Sequence, residues 1–207
     1  MLELPRLVGT VTMLPVEPVI VALQSGRPVD DAELARFIER STTARYFSSS
    51  GRIAADLAAV KLAWADRLPD LALSERQELV EDASELLEEA LTAVPADSFA
   101  WASFATALGM GSGSAARAVD AWRMSVLTAP AERRLVLWRV RFGIAHASQF
   151  LEGDHDLLER QIRFAWRAVP DQLAQYAKSA EPEVMRIIRA ALINQPEDLE
   201  KLDGLVL

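Results

Sequence analysis

Arg133, Arg134, Trp138, Arg139 and Arg141 crowd into one short stretch of the chain. If that stretch is a helix, Arg134, Trp138 and Arg141 are spaced four and three apart, and one face carries two guanidinium groups around an indole. Guanidinium clamps carboxylates in bidentate fashion and stacks on aromatic rings, chemistry that suits an acidic peptide or an acidic saccharide. The five residues are therefore the candidate partner-binding set. The competing reading makes Trp138 a core residue, with the arginines lying along the surface or pairing with acids elsewhere.

Other constellations are weaker. Gly153-Asp154-His155-Asp156, with His146 upstream, offers carboxylates and imidazoles. Four convergent ligands are not identifiable, however, and neither a zinc-protease nor an EF-hand spacing is present. A helix cap from Asp154 or Asp156 explains the loop better. Gly109 to Ser114 is rich in backbone N–H groups, but without a preceding strand and a closing Lys-Ser/Thr it reads as a turn with Ser114 as N-cap. Ser48-Ser49-Ser50-Gly51-Arg52 has no partner base in a nucleophile-elbow order and reads as a turn as well. The chain contains no Cys, which removes thiolate metal sites and Cys nucleophiles. The expectation is a non-enzymatic protein without cofactor or metal.

Composition narrows the class further. The 207 residues include 22 Lys+Arg against 30 Asp+Glu, a net charge of −8. That acidity argues against a general nucleic-acid binder, which needs a basic face. Charge is uneven along the chain: 66–97 carries ten acids and two bases, whereas 117–167 carries six acids and nine bases. With 51% apolar residues the chain is globular, and its length suffices for a sizeable core.

The apolar window Leu4 to Leu23 has the length of a membrane span, but Pro15 and Pro18 break it and Glu17 would cost about 2.5–3.5 kcal/mol near the bilayer centre. It reads as an extended, irregular arm packed on the domain, with a degenerate membrane anchor as the alternative. Asp30-Asp31-Ala32-Glu33 then looks like a helix start, predicting a helix near 31–42.

From there on apolar residues recur at three- and four-residue spacing, so the fold class is all-α. Four segments end in similar words, at Pro95, Pro130, Pro170 and Pro196. Twelve residues before each proline stand Ala83, Ala118, Leu158 and Val184. Eight before it stand Leu87, Trp122, Ile162 and Ile188, and five before it Ala90, Ser125, Ala165 and Ala191. Small residues let paired helices approach, a large one fills the groove, and proline stops the helix. Trp101-x2-Phe104-Ala105-x2-Leu108 precedes the second such segment. Leu57-x2-Val60-Lys61-x2-Trp64 and Leu135-x2-Trp138-Arg139-x2-Phe142 are looser versions before the first and third.

This pattern resembles degenerate tetratricopeptide repeats, helical hairpins stacked as a solenoid, over about 53–196. The resemblance implies a repeat domain over 28–207, an arm over 1–27, and a scaffold or adaptor whose groove receives a peptide or helix from a protein partner. A second resemblance rests on "ALQSGRPVDDAEL" and "RRLVLWRVRFGIA", which are similar to tetratricopeptide-like proteins of bacterial exopolysaccharide biosynthesis. It implies the alternative function, an envelope accessory in polysaccharide assembly or export, with membrane contact through the arm. Placement in the cytoplasm and placement at the membrane or in the periplasm are both left open.

Overall fold

The computed structural model describes residues 17–24, 27–47, 50–68, 73–111 and 113–206. Its described residues form eleven α-helices and a single 3-10 turn, with no strand, so the chain is all-α as expected. The helices are α1 (Glu17–Gln24), α2 (Asp31–Phe47), α3 (Gly51–Ala65), α4 (Leu73–Ala93), α5 (Ser98–Met110) and α6 (Ala115–Thr128), followed by α7 (Arg133–Ala145), α8 (Asp154–Ala168), α9 (Pro170–Ser179), α10 (Pro182–Leu192) and α11 (Pro196–Val206). They build two compact units, 1–121 and 122–207, where the sequence predicted one repeat domain over 28–207. The boundary falls inside α6. A continuous helix needs no linker, so composition carries no mark of the division.

Local chemistry accounts for the ends of the helices. At the start of α2 the Asp30 side chain accepts from Glu33 N–H at 2.7 Å while Glu33 accepts from Asp30 N–H at 3.1 Å, a reciprocal capping box. The Asp97 carboxylate receives Phe99 and Ala100 N–H at 2.9 and 3.0 Å and opens α5. Pro95 and Pro130 stand in the turns after α4 and α6, whereas Pro170 and Pro196 are the first residues of the next helix. In that first turn the missing N–H has no intrahelical partner to lose.

The N-terminal arm requires a correction. Glu17–Gln24 is helical rather than extended, because Pro18 sits in the first turn, where proline is tolerated. Its packing on the domain is as predicted: Val19 and Ile20 are buried with Leu34, Phe37 and Val60. Each such side chain contributes roughly 1.5–3 kcal/mol when fully buried. The remainder of the 1–27 arm, residues 1–16 and 25–26, lies outside the described residues. No helix of the described residues is long and apolar enough to cross a membrane.

In the first unit α2 packs on α3, α3 on α4, α4 on α5, and α3 also reaches α5. In the second, α7 packs on α8, α8 on both α9 and α10, and α9 and α10 on α11. The register read from the prolines is the register of the core. Leu87, Trp122, Ile162 and Ile188 are all at most 1% exposed, and of the eight small or modest positions only Val184 is not buried. Small residues sit where backbones approach: a Cβ built on Gly51 at the start of α3 would lie 2.9 Å from Ala93 Cβ and 3.3 Å from Ala90 O on α4.

Gly143 on α7 is equally confined, its hypothetical Cβ meeting Leu158 Cδ1 at 2.9 Å and Trp122 Cζ2 at 3.0 Å. Gly143→Ala is therefore expected to destabilise the chain by about 1–3 kcal/mol in urea unfolding. Gly204→Ala on α11 has nothing within 4 Å and should be neutral or stabilising by up to about 1 kcal/mol through helix propensity. Equal effects at the two positions would contradict the packing assigned to Gly143.

Candidate functional site

The structure divides the predicted Arg/Trp cluster. Arg133, Arg134 and Arg141 are exposed and Trp138 is half-buried, all of them on α7. Trp138, Phe142 and His146 follow one another at four-residue intervals. Trp138 lies 5.0 Å from Phe142 between ring centroids, and Phe142 stacks on His146 at 4.0 Å. The His146 ring Nδ1 is 2.9 Å from Phe142 O. Arg141 sits over the Tyr176 ring of α9 at 4.8 Å, a cation–π contact, while burial pushes the Tyr176 phenol above its ordinary value. Arg134 pairs with Glu132, the N-cap of α7, at 3.2 Å, and that guanidinium holds the Glu132 carboxyl below its usual range.

Arg139 leaves the partner-binding set, because it is 0% exposed. Its Nε donates to Ser125 Oγ at 3.2 Å, Nη2 to Ser125 O at 2.5 Å and Nη1 to Ala129 O at 2.8 Å. Two of these acceptors are carbonyls at and just past the C-terminal end of α6, where a helix leaves carbonyls unsatisfied and carries partial negative charge. Gln161 of α8 donates to Pro130 O at 3.0 Å beside them. Arg139 is thus an internal cap that closes the α6–α7 corner. Burial pulls its pKa down to about 10, so it remains a cation at neutral pH. A sequence signal was present: Leu135, Arg139 and Gly143 repeat every four residues, and all three are buried.

The Gly153–Asp156 loop is structural. Gly153 adopts φ 89°, a left-handed conformation that glycine accommodates, and α8 begins at Asp154. Asp154 is 1% exposed, receives Arg123 Nε and Nη2 at 2.7 and 2.8 Å, and also accepts from Leu151 N–H at 2.8 Å. The Arg123 guanidinium holds this carboxyl below its ordinary value. Among the described residues no group of three His, Cys, Asp or Glu could hold a metal ion. In the other predicted turns, Ser50 takes the N-cap position of α3, α5 runs on to Met110, and Ser114 directly precedes α6. Ser48, Ser49 and Ser112 lie outside the described residues.

Sequence reading missed a groove of about 440 Å³ in the first unit, lined by Thr42 and Arg45 of α2, Leu57 and Lys61 of α3, and Asp82, Glu85, Leu86 and Glu89 of α4. Leu57 and Leu86, 3% and 7% exposed, give it an apolar floor. Arg45 pairs with Glu89 and Lys61 with Asp82, each at 2.5 Å, and the Lys61 side chain is only 15% exposed. The acidic run of α4 is plain in the sequence, but charge alone does not reveal which neighbours leave a channel beside it.

Compared with models of known families and with curated proteins, the chain matches none.

Proposed function

We propose that this chain is an interaction scaffold of tetratricopeptide-like type, a set of stacked helical hairpins that binds a protein partner and performs no chemistry of its own. The observation that carries the reading is the recurrence of one packing register in α4, α6, α8 and α10. The large residue eight before each proline is buried, and small or modest residues mostly flank it on the same face. A repeat in sequence that is also a repeat in packing is how solenoids build a continuous core from units that each contact their neighbours. Such a core consumes the inward faces and leaves side surfaces for recognition. Two are available here: the charged groove of the first unit, and the α7 face of the second with Arg133, Arg134, Trp138 and Arg141.

The test is crosslinking in the native cell, purification of the full chain, and mass spectrometry of the bound proteins. The expected result is a partner crosslinked to exposed positions on more than one helical hairpin. Its affinity should fall on the order of tenfold when Arg133, Arg134 and Arg141 are together changed to Glu, or when the groove is altered. The Arg variant also loses the Arg134–Glu132 pair and the Arg141–Tyr176 contact, so its unfolding midpoint is measured alongside and a retained helical fold is required before its affinity is read. Turnover that survives extensive purification and disappears with one side chain would overturn the scaffold reading.

A further inference from the structure

The groove between α2, α3 and α4 is asymmetric in charge. Its two cations, Arg45 and Lys61, are both held by acids of α4, and Glu85 stands between those two pairs with no ion-pair or hydrogen-bond partner among the described residues. Glu85 is exposed, and Leu86 beside it joins Leu57 in the floor. The free carboxylate therefore lies at the rim of a largely charged groove with a leucine floor.

The same face of α4 extends beyond the groove. Glu78, Asp82, Glu85 and Glu89 follow at intervals of four, three and four residues, which places them on one stripe. All four are exposed, and Glu78, like Glu85, has no partner among the described residues. The two free carboxylates are seven residues apart, or roughly 10 Å along the helix. A single metal ion or small amine would answer one of them; a chain segment bearing two cations answers both while laying an apolar side chain on Leu57 and Leu86.

From this groove we infer that the partner bound by the first unit presents a cationic amphipathic segment. An apolar residue enters the channel over Leu57 and Leu86, an Arg or Lys meets Glu85, and a second cation about 10 Å away meets Glu78. The inference rests on the scaffold reading above and specifies its partner. Arginine suits Glu85 best, since its planar fork engages a carboxylate through two parallel bonds. Reversing the charge of Glu85 places a cation against the incoming one and discriminates by repulsion.

The full chain is titrated with a fluorescent, amidated helical peptide of about 18 residues, made of Leu, Ala and Lys with lysines seven apart flanking a leucine patch. A second probe has every Lys changed to Glu. Binding of the Lys probe is expected to weaken about tenfold in Glu85→Lys and less than about twofold in Glu197→Lys, an exposed position on α11 with the same charge change. It should also weaken as salt is raised, because exposed charge contacts are screened. Retained helical signal and unfolding midpoint in Glu85→Lys serve as the fold control. Equal weakening in the two variants, or equal binding of the Glu probe, overturns the inference. A photo-crosslinking residue at Thr42, on the groove, separates it from the scaffold reading in the native cell. Capture through a segment containing two basic residues supports the cationic partner; capture through a segment without Lys or Arg overturns it and leaves the scaffold standing. Failure to capture any protein at any exposed position overturns both.

Discussion

Trp122→Ala is expected to lower the stability of the chain by about 3–5 kcal/mol, the range for removing a large aromatic side chain from a well-packed core. The indole is 0% exposed, stacks on Phe150 with centroids 5.1 Å apart, and lies against the face of Gly143. Its Nε1 donates to Arg139 O at 2.9 Å, so truncation also leaves a carbonyl of α7 without that donor. Trp122→Phe preserves most of the volume but not the donor and should cost less, about 1–3 kcal/mol. Reversible urea unfolding of the parent and both variants measures the difference. A loss below about 1 kcal/mol for the Ala variant would place the indole outside the core and break the register shared by the four helices.

Asp154→Asn is the second large effect, expected at about 2–4 kcal/mol near neutral pH. Removing one partner of a buried ion pair typically costs about 3–5 kcal/mol, and the 24% exposure of the Arg123 side chain lowers the expected cost by about 1 kcal/mol. The pH dependence has a definite sign. The Asp154 carboxyl titrates below its ordinary value of 3.8, so the folded chain holds the ionised form more tightly than the unfolded chain does. This contribution is complete above the ordinary value and is lost as the pH falls through the lower, folded value. The parent should therefore lose stability in acid, and the gap between parent and Asn variant should narrow. Unfolding free energies measured at about pH 7 and about pH 2 test this. A gap of the same size at both would show that the carboxylate charge contributes nothing.

The sequence was informative wherever the physics is local. The apolar spacing predicted helices, Asp30 and Glu33 predicted the start of α2, and the prolines anchored a register whose large positions are all buried. Each of these rests on contacts within a few residues or on a face that one helix must bury. The arm was misread at Pro18 because the effect of a proline depends on where the helix begins, which its type alone does not specify. Arg139 shows the same limit for charge: its spacing is that of a core residue, but its type suggested the surface.

By itself the amino-acid sequence determined the all-α class, the helix periodicity, the capped start of α2 and the inward register of α4, α6, α8 and α10, whereas the cap expected from Asp154 or Asp156 is absent and Gly153 holds the N-cap of α8. Only tertiary structure decided that Arg139 caps α6 from within, that Asp154 is held by Arg123, and that Arg45, Lys61 and Glu85 border one groove. The physical reason is separation along the chain. Arg123 and Asp154 are 31 residues apart, and Arg45 and Glu89 are 44 apart. Pairings at such distances depend on how helices pack together, and one linear pattern of charges is compatible with many packings.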